Sequence, residues 1–398
     1  MSDDEIRITS AQISDALPPV LDGVVHTVVN YAQMINRYYG TAYTIGPRVK
    51  GHESDERDIR CRSIPIPRSH PYRLMLPWTD RTFLRAIDRL PLDIVHAHSP
   101  FGSGAIAERI ARRQGIPLVT TLHSKYKDDF MKYVHSENIA DMLVRRVSRF
   151  YRRADDVWVP NQATGQTLRD YGYEGPYHVM YNGVDFAPVD AQEKEELSNR
   201  ARELFDIPSG VHVMSFVGQQ SWKKNLAFTI EALTFLARQR KDFLMIFVGE
   251  GPDKRAIIEL TRKRGISSNV QFVGKLSERS HVKAVYALSD LFLFPSIYDT
   301  DSLVVKEAAA CRTPSVFLEG THAAAPIRND DNGFIISPDP MDYALRLHNL
   351  LNQPEFTRKV GDRAMETLYR SWETVAAEVV QRYRELIEEH GKVNKTQS

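Results

Sequence analysis

Only two cysteines, Cys61 and Cys311, stand in 398 residues, far apart and outside any cluster. They supply neither a disulfide framework nor the close spacing of a zinc site. Net charge is equally scarce: 52 Lys and Arg face 51 Asp and Glu, leaving +1. A chain with no field of one sign does not point to nucleic acid as its default partner. Long hydrophobic runs are missing too. Phe243–Val248 and Leu291–Phe294 have the length of strands, far short of a bilayer span. The opening Met1–Ser10 is acidic and lacks a basic segment leading into an apolar one, so no secretory signal is expected. Gly-x-Ser-x-Gly, a Gly-Lys-Ser phosphate loop and His-Glu-x-x-His are all absent, which removes three familiar catalytic frameworks.

What remains is a chain of reducing-compartment character, 42% hydrophobic and long enough for two domains. Short β-branched and aromatic runs alternate with amphipathic stretches, the rhythm of βα units and parallel sheets. Strands are expected near Ile6–Ser10, Ile94–His98, Leu118–His123, Val157–Pro160 and Val179–Tyr181. Helices are expected at Val24–Arg37, Ser103–Gln114, Ile139–Arg153 and Gln162–Asp170. After the turn Asn182-Gly183-Val184-Asp185 and a charged stretch, a second strand set follows: Val211–Val217, Phe243–Val248, Val270–Val273, Leu291–Phe294, Ser315–Leu318 and Phe334–Ile336. The reading is α/β, two Rossmann-like, doubly wound domains over 1–205 and 206–371. A last helix over 372–398, with a frayed polar end, is expected to pack back on the first domain. Such sheets bind ligands at the carboxyl ends of their strands, which favours a site in a cleft between the domains.

Several strand exits carry chemistry. The apolar strand ending at Phe294-Pro295 leads through Asp299 into a helix that begins near Leu303 and carries Glu307. Helix-start amides suit a phosphate or a sugar hydroxyl, and the two acids could grip hydroxyls at the ends of one ligand. Ordinary solvated acids are the other reading. The strand ending at Val217-Gly218 leads through Gln219 to Lys223-Lys224, where a lysine is placed to neutralise a diphosphate; two solvated helix-start lysines are the alternative. Val248-Gly249-Glu250-Gly251-Pro252 lacks the third glycine of a dinucleotide fingerprint and reads as a tight turn. Gly23 would let a ligand approach the backbone, or is a plain turn glycine. His96 and His98 share one strand face and His123 lies at a strand exit, positions open to structural or functional use. Asp299-Thr300-Asp301 has an Asp-x-Asp form but too few oxygen ligands for a metal cage. No metal is expected.

Together these stretches resemble glycosyltransferase family 4, retaining enzymes of the GT-B fold. The resemblance runs in order through the Gly23 loop, Val95-His96-Ala97-His98-Ser99, Thr121-Leu122-His123, Tyr181-Asn182-Gly183-Val184-Asp185, Val248 to Pro252, Asp299 through Glu307, and Ser371-Trp372-Glu373. It implies a nucleotide-sugar donor held mainly by the second domain and an acceptor held mainly by the first. The family's paired acids, seven residues apart, fall on Asp299 for the sugar and Glu307 for the ribose. Its helix-start amides fall on Ser302, Leu303 and Val304, its diphosphate lysine on Lys224, its close-approach glycine on Gly23 and its active-site histidine on His123. Gln219 stands where an arginine is usual, Asp301-Ser302 replaces Phe-Gly, Ala325 replaces an acid and Arg312 replaces a glycine.

The implied activity moves a hexose from a nucleotide sugar, UDP-glucose or another UDP-sugar ahead of GDP-mannose, to a glycolipid or surface-polysaccharide acceptor. The nucleotide sugar is a substrate, and no cofactor is expected. An epimerase on the same fold and a non-catalytic nucleotide-sugar-binding protein are the competing functions. The helix Ile139–Arg153 sets Arg145, Arg146, Arg149, Arg152 and Arg153 beside an apolar stripe of Ile139, Met142, Leu143, Val147 and Phe150. It is either a solvated basic face or a peripheral contact with an anionic membrane in a cytoplasmic protein.

Overall fold

Apolar runs bounded by turn residues become parallel strands, and the amphipathic stretches between them become helices that cover both sheet faces. The computed structural model describes residues 7–20, 22–51, 55–67, 71–134, 136–299 and 302–397. The chain forms two units, Met1–Gly183 with Trp372–Ser398, and Val184–Ser371.

The first unit contains β1 (Ile8–Ile13), β2 (Gly40–Pro47), β3 (Asp58–Cys61), β4 (Ser63–Pro65), β5 (Arg73–Met75), β6 (Ile94–Ala97), β7 (Leu118–Thr121), β8 (Asp156–Val159) and β9 (His178–Val179). Its helices are α1 (Gly23–Tyr38), α2 (Arg81–Asp88), α3 (Gly102–Gln114), α4 (Tyr126–Val134), α5 (Glu137–Tyr151) and α6 (Gln162–Asp170). Seven strands form a sheet in the order β3-β2-β1-β6-β7-β8-β9, while β4 and β5 pair antiparallel on their own. One sheet face is filled by Ile13, Val95, Ala97, Val157 and Val159 against Ile106 and Ile110 of α3 and Val144, Val147 and Phe150 of α5. Of the expected first strand, Ile6 lies outside the described residues, and β1 runs on to Ile13.

The second unit contains β10 (His212–Val217), β11 (Phe243–Val248), β12 (Val270–Gly274), β13 (Leu291–Phe294), β14 (Ser315–Leu318) and β15 (Phe334–Ile336). Its helices are α7 (Ala191–Leu204), α8 (Leu226–Gln239), α9 (Lys254–Lys263), α10 (Arg279–Leu288), α11 (Leu303–Ala310), α12 (Pro340–Leu351) and α13 (Pro354–Leu368). Six parallel strands follow the order β12-β11-β10-β13-β14-β15. Alternation on β13 sends Leu291 and Leu293 into one core with α8 and α12, and Phe292 and Phe294 into another with Tyr286 and Ala308. Two covered faces explain why these strands are continuously apolar.

The division falls at Gly183–Val184, earlier than the expected join near residue 205. Helix α7 belongs to the second unit because its Ala201 packs with Val213, Ala284, Val285 and Leu288. Glu193 also pairs with Lys283 of α10 at 2.7 Å. The final helix, α14 (Trp372–Gln397), counts with the first unit and is helical well past Lys392, where a frayed tail was expected. Its Trp372, Val375, Val379 and Tyr383 are buried, and Arg382 Nε donates to Asp156 of β8 at 2.8 Å.

Candidate active site

In the second unit the strand order reverses between β10 and β13, so the loops leaving these neighbours splay apart and open a ligand crevice at their carboxyl ends. Lys224 leaves the loop after β10 on a short 3-10 turn, Trp222–Lys224, and Asp299 lies in the loop after β13. The ammonium of Lys224 donates to both Asp299 oxygens, at 2.6 and 2.8 Å. Asn225 ties the same two loops by donating to the Pro295 carbonyl at 3.3 Å. Gln219 is exposed beside this pair in sequence, and Ser302, Leu303 and Val304 form the half-buried start of α11. No side chain among the described residues caps that helix start at Ser302. Thr300 and Asp301 lie outside the described residues, and among those described no three His, Cys, Asp or Glu side chains gather as a metal site.

Among the described residues no side-chain bond joins Glu307 to Lys224 or Asp299. It is 5% exposed, with Arg279 donating to Oε1 and the Tyr286 hydroxyl donating to Oε2 at 3.0 Å. Arg279 also stacks over Phe186, 4.5 Å from the ring centroid. Each carboxylate oxygen keeps a second lone pair, so the partners orient Glu307 without exhausting it. Arg279 and Tyr286 were not legible as site residues. They sit at the start and near the end of an ordinary amphipathic helix, and only the fold brings them to α11.

The two glycines of Val248 to Pro252 do more than turn the chain. Gly249 and Gly251 let this loop lie against the loop after β10: a Cβ on Gly251 would fall 2.2 Å from the Gln220 carbonyl oxygen. Gln220 N donates to Glu250 O and its side chain to Gly249 O, both at 3.0 Å.

In the first unit Asp22 caps α1, its Oδ1 accepting from Val25 N at 2.8 Å, while Oδ2 accepts from the Tyr72 hydroxyl at 2.9 Å. Gly23 is exposed at that helix start with nothing within 4 Å of an added Cβ. The sequence reading missed Tyr72, which comes from the β4–β5 hairpin, and Asp15. Asp15 follows β1 and accepts from the Ser99 and Ser103 hydroxyls at 2.6 and 2.7 Å. Burial pushes the Asp15 carboxyl up, partly offset by these bonds.

His98 stacks on His96, ring centroids 4.1 Å apart, and on His123 at 5.4 Å. His96 and His98 are fully buried, whereas His123, two residues beyond β7 and outside the strand expected to include it, is partly exposed. Desolvation holds all three imidazoles neutral: His96 and His98 are pushed well below the usual histidine range, and His123 down to about 4. A neutral histidine can hydrogen-bond a sugar but is a weak base for taking a proton.

The arginine helix differs from the expected stripe. Val144, Val147 and Phe150 enter the core, but Ile139 and Met142 are 44% and 60% exposed. They share their outward side with Arg145, Arg146 and Arg149 at three- and four-residue spacing. Arg152 donates to the Gly172 carbonyl and Arg153 pairs with Glu108 at 3.1 Å, so these two serve the fold.

With this geometry in place, residues 21–187 match the family described as Glycosyltransferase Family 4, and residues 198–367 match Glycosyl transferases group 1. The chain is a family 4 glycosyltransferase. Among its relatives, the alpha-monoglucosyldiacylglycerol synthase of Acholeplasma laidlawii is 23% identical over 95% of this chain and 97% of that protein. A GDP-mannose-dependent alpha-mannosyltransferase of Mycobacterium tuberculosis is 26% identical over 94% and 95%. Sucrose-phosphate synthase from Thermosynechococcus elongatus superposes with a TM-score of 0.72 at 20% identity, covering 96% of this chain and 100% of that one. The Anabaena protein HepE in complex with UDP-glucose gives 0.70 at 15% identity, covering 95% and 100%. The fold of this glycosyltransferase is GT-B. One departure from the family pattern now has a physical basis. Arg312 has φ of +54°, the left-handed region in which glycine is at ease. Its guanidinium is held by the Val189 carbonyl and Asp362, both at 2.7 Å.

Proposed function

We propose that this glycosyltransferase transfers a hexose with retention from a nucleotide sugar, a UDP-sugar ahead of GDP-mannose, to a glycolipid or cell-surface saccharide. The observation that carries the reading is Lys224 at the β10–β13 reversal, fastened to Asp299 at 2.6 Å just before the start of α11. The relatives' names add a glucosyl lipid and GDP-mannose as chemical precedents. On this reading Lys224 and the α11 amides stabilise the leaving diphosphate, Glu307 takes the ribose hydroxyls and Asp299 orients Lys224 toward the sugar phosphate. Gly23 admits close ligand approach on the first unit, and His123 bonds a hydroxyl there. The anomeric C–O bond breaks with its electron pair leaving on phosphate oxygen. The acceptor oxygen bonds the anomeric carbon on the same face, and its proton passes to that phosphate oxygen. No dedicated protein base is needed, in keeping with a neutral His123.

A panel of nucleotide sugars tests this. The expected result is slow nucleotide release, accelerated by a lipid or saccharide acceptor, with retained anomeric configuration. An isomerised donor replaces this reading with an epimerase, and binding without turnover replaces it with a binding protein. Turnover is expected to survive strong chelation, because the Asp299 carboxylate is engaged by an ammonium. Loss on chelation with recovery on adding a divalent ion overturns that part.

Gly23→Ala separates ligand approach from folding. The site has open space and lies at a helix start, so stability is expected to stay within about 0.5 kcal/mol of wild type. A fall in turnover at unchanged Tm supports close approach; unchanged turnover refutes it.

The exposed side of α5 is the proposed contact with an anionic membrane from the cytoplasmic side, through Ile139, Met142 and the arginines beside them. No helix among the described residues is long and apolar enough to cross a membrane. Sedimentation with anionic vesicles is expected at low salt, weakened by high salt and by charge reversal at Arg145, Arg146 and Arg149. Absence of low-salt binding, or no response to those changes, makes α5 a solvated face.

A further inference from the structure

Behind His123 lies a buried chain of hydrogen bonds drawn from four elements of the first unit. His123 Nε2 is 3.1 Å from His98 Nδ1, and His98 Nε2 is 3.0 Å from the Gln12 amide oxygen. The Gln12 amide nitrogen donates to the Tyr383 hydroxyl and to Ser10 Oγ, each at 3.3 Å. That hydroxyl is 2.6 Å from His96 Nδ1, and His96 Nε2 is 2.7 Å from Thr121 Oγ1. Gln12, His96, His98 and Tyr383 are fully buried.

Neutral rings give each histidine one donor and one acceptor, so the direction of one bond sets the rest. An amide oxygen can only accept, hence His98 carries its proton on Nε2. His98 Nδ1 is then a lone pair, and His123 must donate from Nε2. At the other end, Tyr383 takes an N–H from Gln12 and gives its own proton to His96 Nδ1, leaving His96 to donate to Thr121. The opposite setting requires every bond to reverse together: the Gln12 amide turned over, His98 protonated on Nδ1 and His123 bare at Nε2. The Gln12 amide is therefore the pivot, held in the observed setting by its nitrogen's bonds to the Tyr383 hydroxyl and Ser10 Oγ.

We propose that Tyr383 and Gln12 are positioning residues that act through His98 to keep the proton of His123 on Nε2. His123 Nδ1 then meets a hydroxyl of the donor sugar or the acceptor as a hydrogen-bond acceptor. The second half of this statement rests on the reading of His123 as a site residue; the first half does not.

Ring-15N NMR of protein labelled at histidine tests the two halves apart, with His123 assigned by its loss in His123→Asn. In wild type at neutral pH, Nε2 of His123 is expected to be protonated and Nδ1 bare. In Tyr383→Phe and in Gln12→Leu the amide pivot is released or lost, and His123 is expected to show both tautomers. Turnover is expected to fall about tenfold with donor KM within about twofold, since a hydrogen bond made in the reacting complex is weakened. Protonation of His123 on Nδ1 in wild type overturns the relay without recourse to any variant. So does an unchanged His123 spectrum in both variants, whatever their thermal stability, because packing alone would lower Tm and leave the tautomer in place. Mixed tautomers with unaltered turnover sustain the relay and remove His123 from the site.

Discussion

Lys224→Ala is expected to lower donor turnover by roughly 100- to 1000-fold, the usual cost of withdrawing one fixed donor from a developing anion. Lys223→Ala should change it less than about threefold, because the exposed Lys223 side chain has no part in the Asp299 pair. The ion pair makes the first figure a compound one. Removing the ammonium leaves the Asp299 carboxylate uncompensated and, on the proposed reading, also strips the diphosphate of its cation. The double variant Lys224→Ala with Asp299→Asn should therefore regain part of the donor affinity lost in Lys224→Ala, a non-additivity that a double-mutant cycle reads directly. Steady-state kinetics with folding verified by circular dichroism decides the matter. Equal, small effects at both lysines would mean that the diphosphate is held elsewhere.

The second large effect is expected at a glycine of the loop after β11, through its backbone packing. Gly251→Ala places a methyl 2.2 Å from a backbone oxygen and 2.6 Å from the carbonyl carbon and nitrogen of Gln220, atoms that no rotamer change can move aside. The strain should destabilise the second unit by roughly 2–4 kcal/mol. Gln220 begins the segment that carries Lys224, and that segment is pinned by Trp222 N on Asp253 at 2.9 Å. Relief of the clash shifts the loop, so turnover should fall beyond the loss of folded protein. Thermal melts and single-turnover assays on the same preparations check both parts. A stable Gly251→Ala with wild-type turnover would show that the loop yields without disturbing Lys224.

The strands of the second unit were legible because both sheet faces are covered, which makes each strand a continuous apolar run between turn residues. In the first unit β2 and β3 escaped notice. Asp58–Cys61 puts two charges into four residues, and the guanidinium of the buried Arg60 is bonded by Asp58 and by the Pro18 and Pro47 carbonyls. No alternation rule anticipates a buried arginine of that kind. At the site, Lys224 and Asp299 could be named from strand exits and helix starts, which are local signals. Gln12 and Tyr383 lie 371 residues apart, and Arg279 reaches Glu307 from another helix. Only a fold brings such residues together. The join near residue 205 was misplaced because a charged helix reads as a linker until the core it covers is known.

The last helix has a consequence for how this protein is made. Tyr383 completes the bonding of Gln12 and His96, and Arg382 engages Asp156 beside His178 and Trp158. On the ribosome these partners are separated by the whole second unit, which is finished and able to fold before α14 emerges. The amino-terminal sheet, although synthesised first, keeps Gln12, His96 and Asp156 without these partners until α14 has emerged. A chain ended between residues 371 and 372 thus keeps the whole second unit while leaving Gln12, His96 and Asp156 of the first without Tyr383 and Arg382.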